Sequence, residues 1–322
     1  MTAPAAKSAY LGWLAAVIAD ERGASSTFAA VSEDLILGYA TGYDVADVAP
    51  FVRSLRAVFD GQVALVVDPD PALLDFLAAH RIDAVPPAPA GETAWAPHPV
   101  VARFAAFDQL MRQRPHVRHV LLTDVRDVVF QAAPFEPQPR MLEFFTEYAD
   151  GVLGDHAFNM KHLRAVGGEA IARAVADKPC LCVGTVMGPR EEMMRFCRTL
   201  LMLAAIPRSE SGAAFGADQA ACNIAVHMGL VAGEIVPNYG RVATIGLTTG
   251  AHLGIVDGRI VNPDGGVSPI VHQHDRHEAL AAAMHELWGQ GLERRERRQP
   301  KSSAQRRRKL RDSLMRRLPE LR

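Results

Sequence analysis

Two carboxylates three residues apart, Asp124 and Asp127, separate the apolar runs Leu121-Leu122-Thr123 and Val128-Val129-Phe130. An acid at the mouth of a buried strand is costly unless it stays wet or binds something. A hard divalent cation, with phosphate oxygens as further ligands, would satisfy both acids. The plainer alternative is that Asp124 caps a turn and Arg126 pairs with Asp127. Far along the chain, Val271-His272-Gln273-His274-Asp275-Arg276-His277 offers three imidazoles. Strand periodicity would put His272 and His274 on one face. Gly216-Ala217-Asp218-Gln219, followed by Asn223, reads as a helix start, where Asp218 and Gln219 are favourable for capping and dipole alone. In Cys182-Val183-Gly184-Thr185 a glycine interrupts an apolar strand. It would permit close backbone approach to a ligand, although tight packing asks for the same.

These groups need a scaffold, and from about residue 33 strand and helix patterns alternate. Segments 35–39, 63–67, 82–85 and 119–123 read as buried strands. Between them, 48–59, a segment opened by Pro71, and 100–111 read as helices, and 86–99 as a loop. Val52, Leu55, Val58 and Phe59 would face inward on the first helix. This order implies an α/β, Rossmann-like fold: a mostly parallel sheet with helices on both faces. Ligands bind beyond the carboxyl ends of such strands, which is where Asp124 falls. The second half is less regular. Strands are expected at 141–146 and 180–187, helices at 191–205 and from Asp218, and a hairpin at 255–261 turning on Asp257-Gly258. Residues 271–275 are expected to close the domain.

The chain has 322 residues, 49% hydrophobic and 22% charged, enough to bury a substantial core. Its four cysteines lack the paired spacing of a zinc site, so a reducing compartment is the simpler reading. No apolar run reaches the roughly 18–20 residues of a membrane-spanning helix. The apolar stretch 10–19 runs into Asp20-Glu21-Arg22 and reads as part of a helical extension over 1–30, not an export signal. Net charge is −1, but 291–322 carries thirteen Lys/Arg against four Asp/Glu, which leaves the remainder strongly acidic. That asymmetry suggests a surface contact for a basic tail, not a nucleic-acid-binding fold. Neither a phosphate loop, a dinucleotide fingerprint, a nucleophile elbow nor a His-Glu-x-x-His helix is present.

In their order along 34–277, these segments resemble the GT-A fold glycosyltransferases, the nucleotide-diphospho-sugar transferases. In that family a strand ends in an Asp-x-Asp pair that holds manganese or magnesium against the donor diphosphate. The spacing here is Asp-x-x-Asp. If Asp127 takes the second acid's place, Val125 occupies the first, so the resemblance supports Asp127 more directly than Asp124. It also implies that His272 completes the metal site and that Gly184 lies beside the sugar. Arg103 would face the donor, and Tyr39, Thr41 and Asp68 would meet the nucleoside. Asp218 and Gln219 would carry catalysis by orienting acceptor or sugar, with a leaning towards retention.

The implied activity is metal-dependent transfer from a nucleoside diphosphate sugar to a hydroxyl of a sugar or glycan acceptor, lipid-linked acceptors included. The domain would span 31–290. It would be cytoplasmic, with the basic tail able to reach an anionic membrane from its inner face. From Lys309, Leu310, Leu314, Met315 and Leu318 recur at near-helical spacing among arginines, as on an amphipathic surface helix. Two alternatives come from other classes. One is a metal-dependent phosphate hydrolase with Asp124 as nucleophile; the other is a catalytically silent nucleotide-sugar-binding module.

Overall fold

The first apolar run forms β1 (Glu33–Tyr39). Leu35 and Leu37 enter one hydrophobic cluster and Ile36 another, as a strand buried on both faces requires. The computed structural model describes residues 33–87, 97–205 and 215–293. The expected helix at 10–19 and the basic segment beyond Glu293 lie outside them, as does most of the 86–99 loop.

β1 pairs in parallel with β2 (Gln62–Val66) and β4 (Val117–Thr123), and β2 with β3 (Asp83–Val85). The connections are α1 (Val45–Arg56), α2 (Pro71–Ala79) and α3 (Pro99–Arg112). Their starts are written locally. Asp44 and Asp47 form a capping box, Asp70 caps Leu73 ahead of Pro71, and Pro99 opens α3. α1 stops at Arg56, before the expected Val58 and Phe59, which pack only partly buried just beyond it.

The main sheet is completed by β6 (Glu143–Thr146), β7 (Leu181–Pro189) and β8 (Glu234–Val236), in the order β3-β2-β1-β4-β7-β6-β8. Only β7 runs antiparallel to its neighbours, so this is an α/β fold on a mostly parallel, mixed sheet. α1 and α2 cover the face of Ile36 and Leu121. α3 covers the face of Leu35, Leu37 and Leu122, with α4 (Ala157–Ala174), α5 (Arg190–Ala204) and α6 (Ala217–His227).

A second sheet orders β5 (Val128–Phe130), β12 (Ile270–His272) and β9 (Val242–Thr244) with β12 central. β12 ends at His272. Gln273 turns to φ 64° and His274–Arg276 forms a single 3-10 turn. His274 therefore does not share a strand face with His272, because the extended backbone on which that alternation depends has stopped. Nor does this segment close the domain. α7 (Glu278–Trp288) follows and packs on α1, where Arg53 donates to the carbonyls of Trp288 and Gln290, both at 2.9 Å. Between β9 and β12, β10 (Gly254–Val256) and β11 (Arg259–Val261) form the expected hairpin. Asp257 and Gly258 take φ of 49° and 75°, the two positive values a type I′ turn demands. The compact unit containing these elements ends at Leu292. No helix among the described residues is long and apolar enough to cross a membrane.

Candidate metal centre

Strand order reverses between β1 and β4, since β2 and β3 lie on one side of β1 and β4 on the other. Connections leaving in opposite directions open a crevice at the carboxyl ends. Asp124 follows β4 directly, and its N–H donates to the Gly184 carbonyl at 2.7 Å, extending the β4–β7 ladder by one residue. Asp127 precedes β5, so Asp124-Val125-Arg126-Asp127 is the bend between the two sheets, anchored by buried Val125. β12 then brings His272 opposite Val128, and the Gln273 N–H donates to the Asp127 carbonyl at 2.8 Å.

The ligand atoms of Asp124, Asp127 and His272 lie within 4.8 Å of one another. His272 Nε2 is 3.4 Å from Asp124 Oδ2 and 3.7 Å from Asp127 Oδ1. Those separations are long for hydrogen bonds, and Nε2 is a buried polar atom with no hydrogen-bond partner among the described residues. Gly184 keeps the space beside it open. A Cβ there would lie 2.7 Å from Asp124 Oδ2 and 2.9 Å from His272 Nε2. An orphaned imidazole nitrogen, two converging carboxylates and a gap that any side chain would fill suit a divalent cation.

Arg103, on α3, is buried beside this group. Its Nη1 donates to Asp124 Oδ1 at 2.5 Å and its Nη2 to Asp218 Oδ2 at 3.0 Å. Asp218 reaches it because α6 starts one residue after Gly216, whose φ of 101° suits glycine alone. Electrostatics separate the acids. Burial alone would raise Asp124, but Arg103 and His272 outweigh it and hold its pKa well below the carboxylate range. Burial wins at Asp127 and Asp218 and raises both, against His272 and Arg103 respectively. At His272 burial opposes protonation, yet Cys182, Asp127 and Asp124 together hold its pKa well above the ordinary value. Burial pushes the Cys182 thiol up, against the lowering effect of His272 beside it.

Several expectations from the sequence meet their outcome here. Arg126 pairs with Asp275 at 3.3 Å and lies over the Tyr43 ring, not with Asp127. Asp124 is engaged as deeply as Asp127, although the spacing favoured the latter. Asp218 and Gln219 diverge. Asp218 meets Arg103, while the Gln219 amide donates to Glu147 at 2.8 Å and to Asn159 at 3.3 Å. Asn223 is a structural clamp, bonding both the N–H and the carbonyl of Leu181. Tyr39, Thr41 and Asp68 stand at the carboxyl ends of β1 and β2. There Asp68 accepts from the Gly42 N–H at 2.6 Å and so holds the loop that follows β1.

Glu147, Asn159, Cys182 and Tyr43 were not singled out from sequence. Tyr43 lies close enough to Asp124 and Asp127 for both to raise its pKa, although burial is the larger cause. The alternation Cys180-x-Cys182-x-Gly184 was the one available signal. Cys182 and Gly184 share a face of β7 near His272, and Cys180, just ahead of the strand, lies near Glu147 and Asn159. Compared with known proteins, the chain matches no protein-family model and no curated protein.

Proposed function

We propose that this chain is a metal-dependent glycosyltransferase of GT-A-like architecture, moving a sugar from a nucleoside diphosphate donor to an acceptor hydroxyl. The observation that carries this reading is the convergence of Asp124, Asp127 and His272, with Nε2 unpartnered, at the carboxyl end of β4. A manganese or magnesium ion held by these three residues would supply neutralising charge to the diphosphate leaving group.

In the transfer, the bond between the anomeric carbon and the diphosphate oxygen breaks, and its electron pair leaves with the nucleoside diphosphate. The acceptor oxygen bonds to the anomeric carbon and gives its proton to an oxygen of the departing diphosphate. Arg103 brings a second, permanent positive charge to the donor, and Asp218 steadies its guanidinium by accepting from Nη2. Gln219, with Glu147 and Asn159, offers planar polar groups to sugar hydroxyls. Tyr39, Thr41 and Asp68 take the nucleoside.

A thermal-shift screen of nucleoside diphosphates with and without Mn2+ tests the reading, because a ligand that binds the native state stabilises it by mass action. One nucleotide together with Mn2+ is expected to raise the Tm more than the two separate increments combined. Stabilisation by nucleotide that ignores Mn2+ would remove the metal. Rapid phosphate release from simple phosphoesters would favour the hydrolase instead.

A further inference from the structure

The inward face of β7 does two different things for His272. Gly184 leaves space beside Nε2. One alternation earlier, Cys182 places its Sγ 3.5 Å from Nδ1. Both side chains are buried, Cys182 at 2% and His272 at 1% exposure. The two ring nitrogens therefore face two environments: Nε2 looks towards Asp124 and Asp127, while Nδ1 meets sulfur.

A neutral imidazole that gives its Nε2 lone pair to a cation must carry its proton on Nδ1. A buried N–H without an acceptor is costly, and among the described residues the hydrogen-bond partner of Nδ1 is the Cys182 sulfur, a weak acceptor. Resting on the metal-dependent reading above, we propose that Cys182 is a positioning residue: its sulfur accepts the Nδ1 proton of His272 and so presents Nε2 to the cation. Metal-bound histidines more often lean on a carboxylate or a carbonyl. A carboxylate here would be a third negative charge beside Asp124 and Asp127. A neutral thiol at this distance would orient the ring without adding one.

The test titrates the full chain with Mn2+ at one near-neutral pH, following the free ion by electron paramagnetic resonance. It compares the wild type with Cys182→Ala and Cys182→Ser. Alanine is expected to weaken Mn2+ binding roughly tenfold, the lower end for loss of such a partner. Serine, whose hydroxyl can accept the same proton, is expected to recover most of that loss. Long-range 1H–15N spectra of the Mg2+-loaded wild type should show the His272 proton on Nδ1. Equal Mn2+ affinity in wild type and alanine variant overturns the inference, as does a proton found on Nε2. So does an equal loss in serine and alanine that merely follows their thermal stability, which would make Cys182 a packing residue. If none of the three proteins binds Mn2+, the metal reading falls as well. Binding that ignores residue 182 removes this inference alone.

Discussion

Gly184 and His272 approach so closely that a Cβ on residue 184 would lie 2.9 Å from the His272 Nε2. The same atom would lie 2.7 Å from Asp124 Oδ2. Glycine is ordinarily a weak choice within a strand, and here it keeps the ligand atoms apart from the chain.

Gly184→Ala is therefore expected to fold and to lose most of its affinity for Mn2+. Overpacking of this kind costs roughly 1–3 kcal/mol, because the new methyl is fixed to the backbone while Asp124 and His272 are held by Arg103 and Cys182. Mn2+ titration beside a urea melt checks it. Unchanged affinity would show that the gap at Gly184 serves packing only.

Among the late histidines, His272→Ala should abolish Mn2+ binding while His277→Ala leaves it nearly intact. His277 is committed elsewhere, with Nε2 2.7 Å from the Ile245 carbonyl. Asp127→Asn should match His272→Ala, since it removes a charge but keeps the shape of the bend. Calorimetric titration separates these outcomes, and equal effects from His272 and His277 would rule out the assigned ligand.

Arg103 holds the end of β4 and the start of α6 together through Asp124 and Asp218. Arg103→Ala leaves two carboxylates facing each other with their countercharge gone, and should cost on the order of 3 kcal/mol in urea unfolding. Asp218→Asn leaves a neutral partner and should cost less. If its role is in the transition state, it lowers kcat and kcat/KM together. A loss of stability with unchanged turnover would reduce Asp218 to a strut.

His274 sets a pH dependence of stability. It is buried, neither ring nitrogen has a hydrogen-bond partner among the described residues, and burial lowers its pKa to about 4 from 6.5. Above the unfolded value both states are neutral, so the full stability is present. As pH falls through 6.5 towards 4 the unfolded chain takes up the proton first, and stability is lost. The loss is on the order of 2 kcal/mol between about pH 7.5 and about pH 4.5. Urea melts in chelator, comparing wild type with His274→Gln, should show the gap between the two change by that amount across the window. Parallel curves would contradict it.

Period and local chemistry made much of the scaffold legible in the sequence. Leu35-Ile36-Leu37 reads as a buried strand, Pro71 announces a helix start, and Asp257-Gly258 announces a tight hairpin. Each is decided within a few residues, by an apolar run, by a proline whose fixed φ suits the first helical turn, or by residues that tolerate a positive φ. The acids were visible for the same reason, as charges at the end of an apolar run. Their partners were not. That Asp124 answers to Arg103 and that Gln219 turns away from Asp218 towards Glu147 depend on how α3 and α6 pack on the sheet, and that Cys182 stands behind His272 depends on the register of β7 against β4 and of β12 against β5. A slip of one residue in either pairing would turn those side chains to the opposite face. Register is set by the packing of the whole core, so only the tertiary structure could decide which of the candidate residues meet.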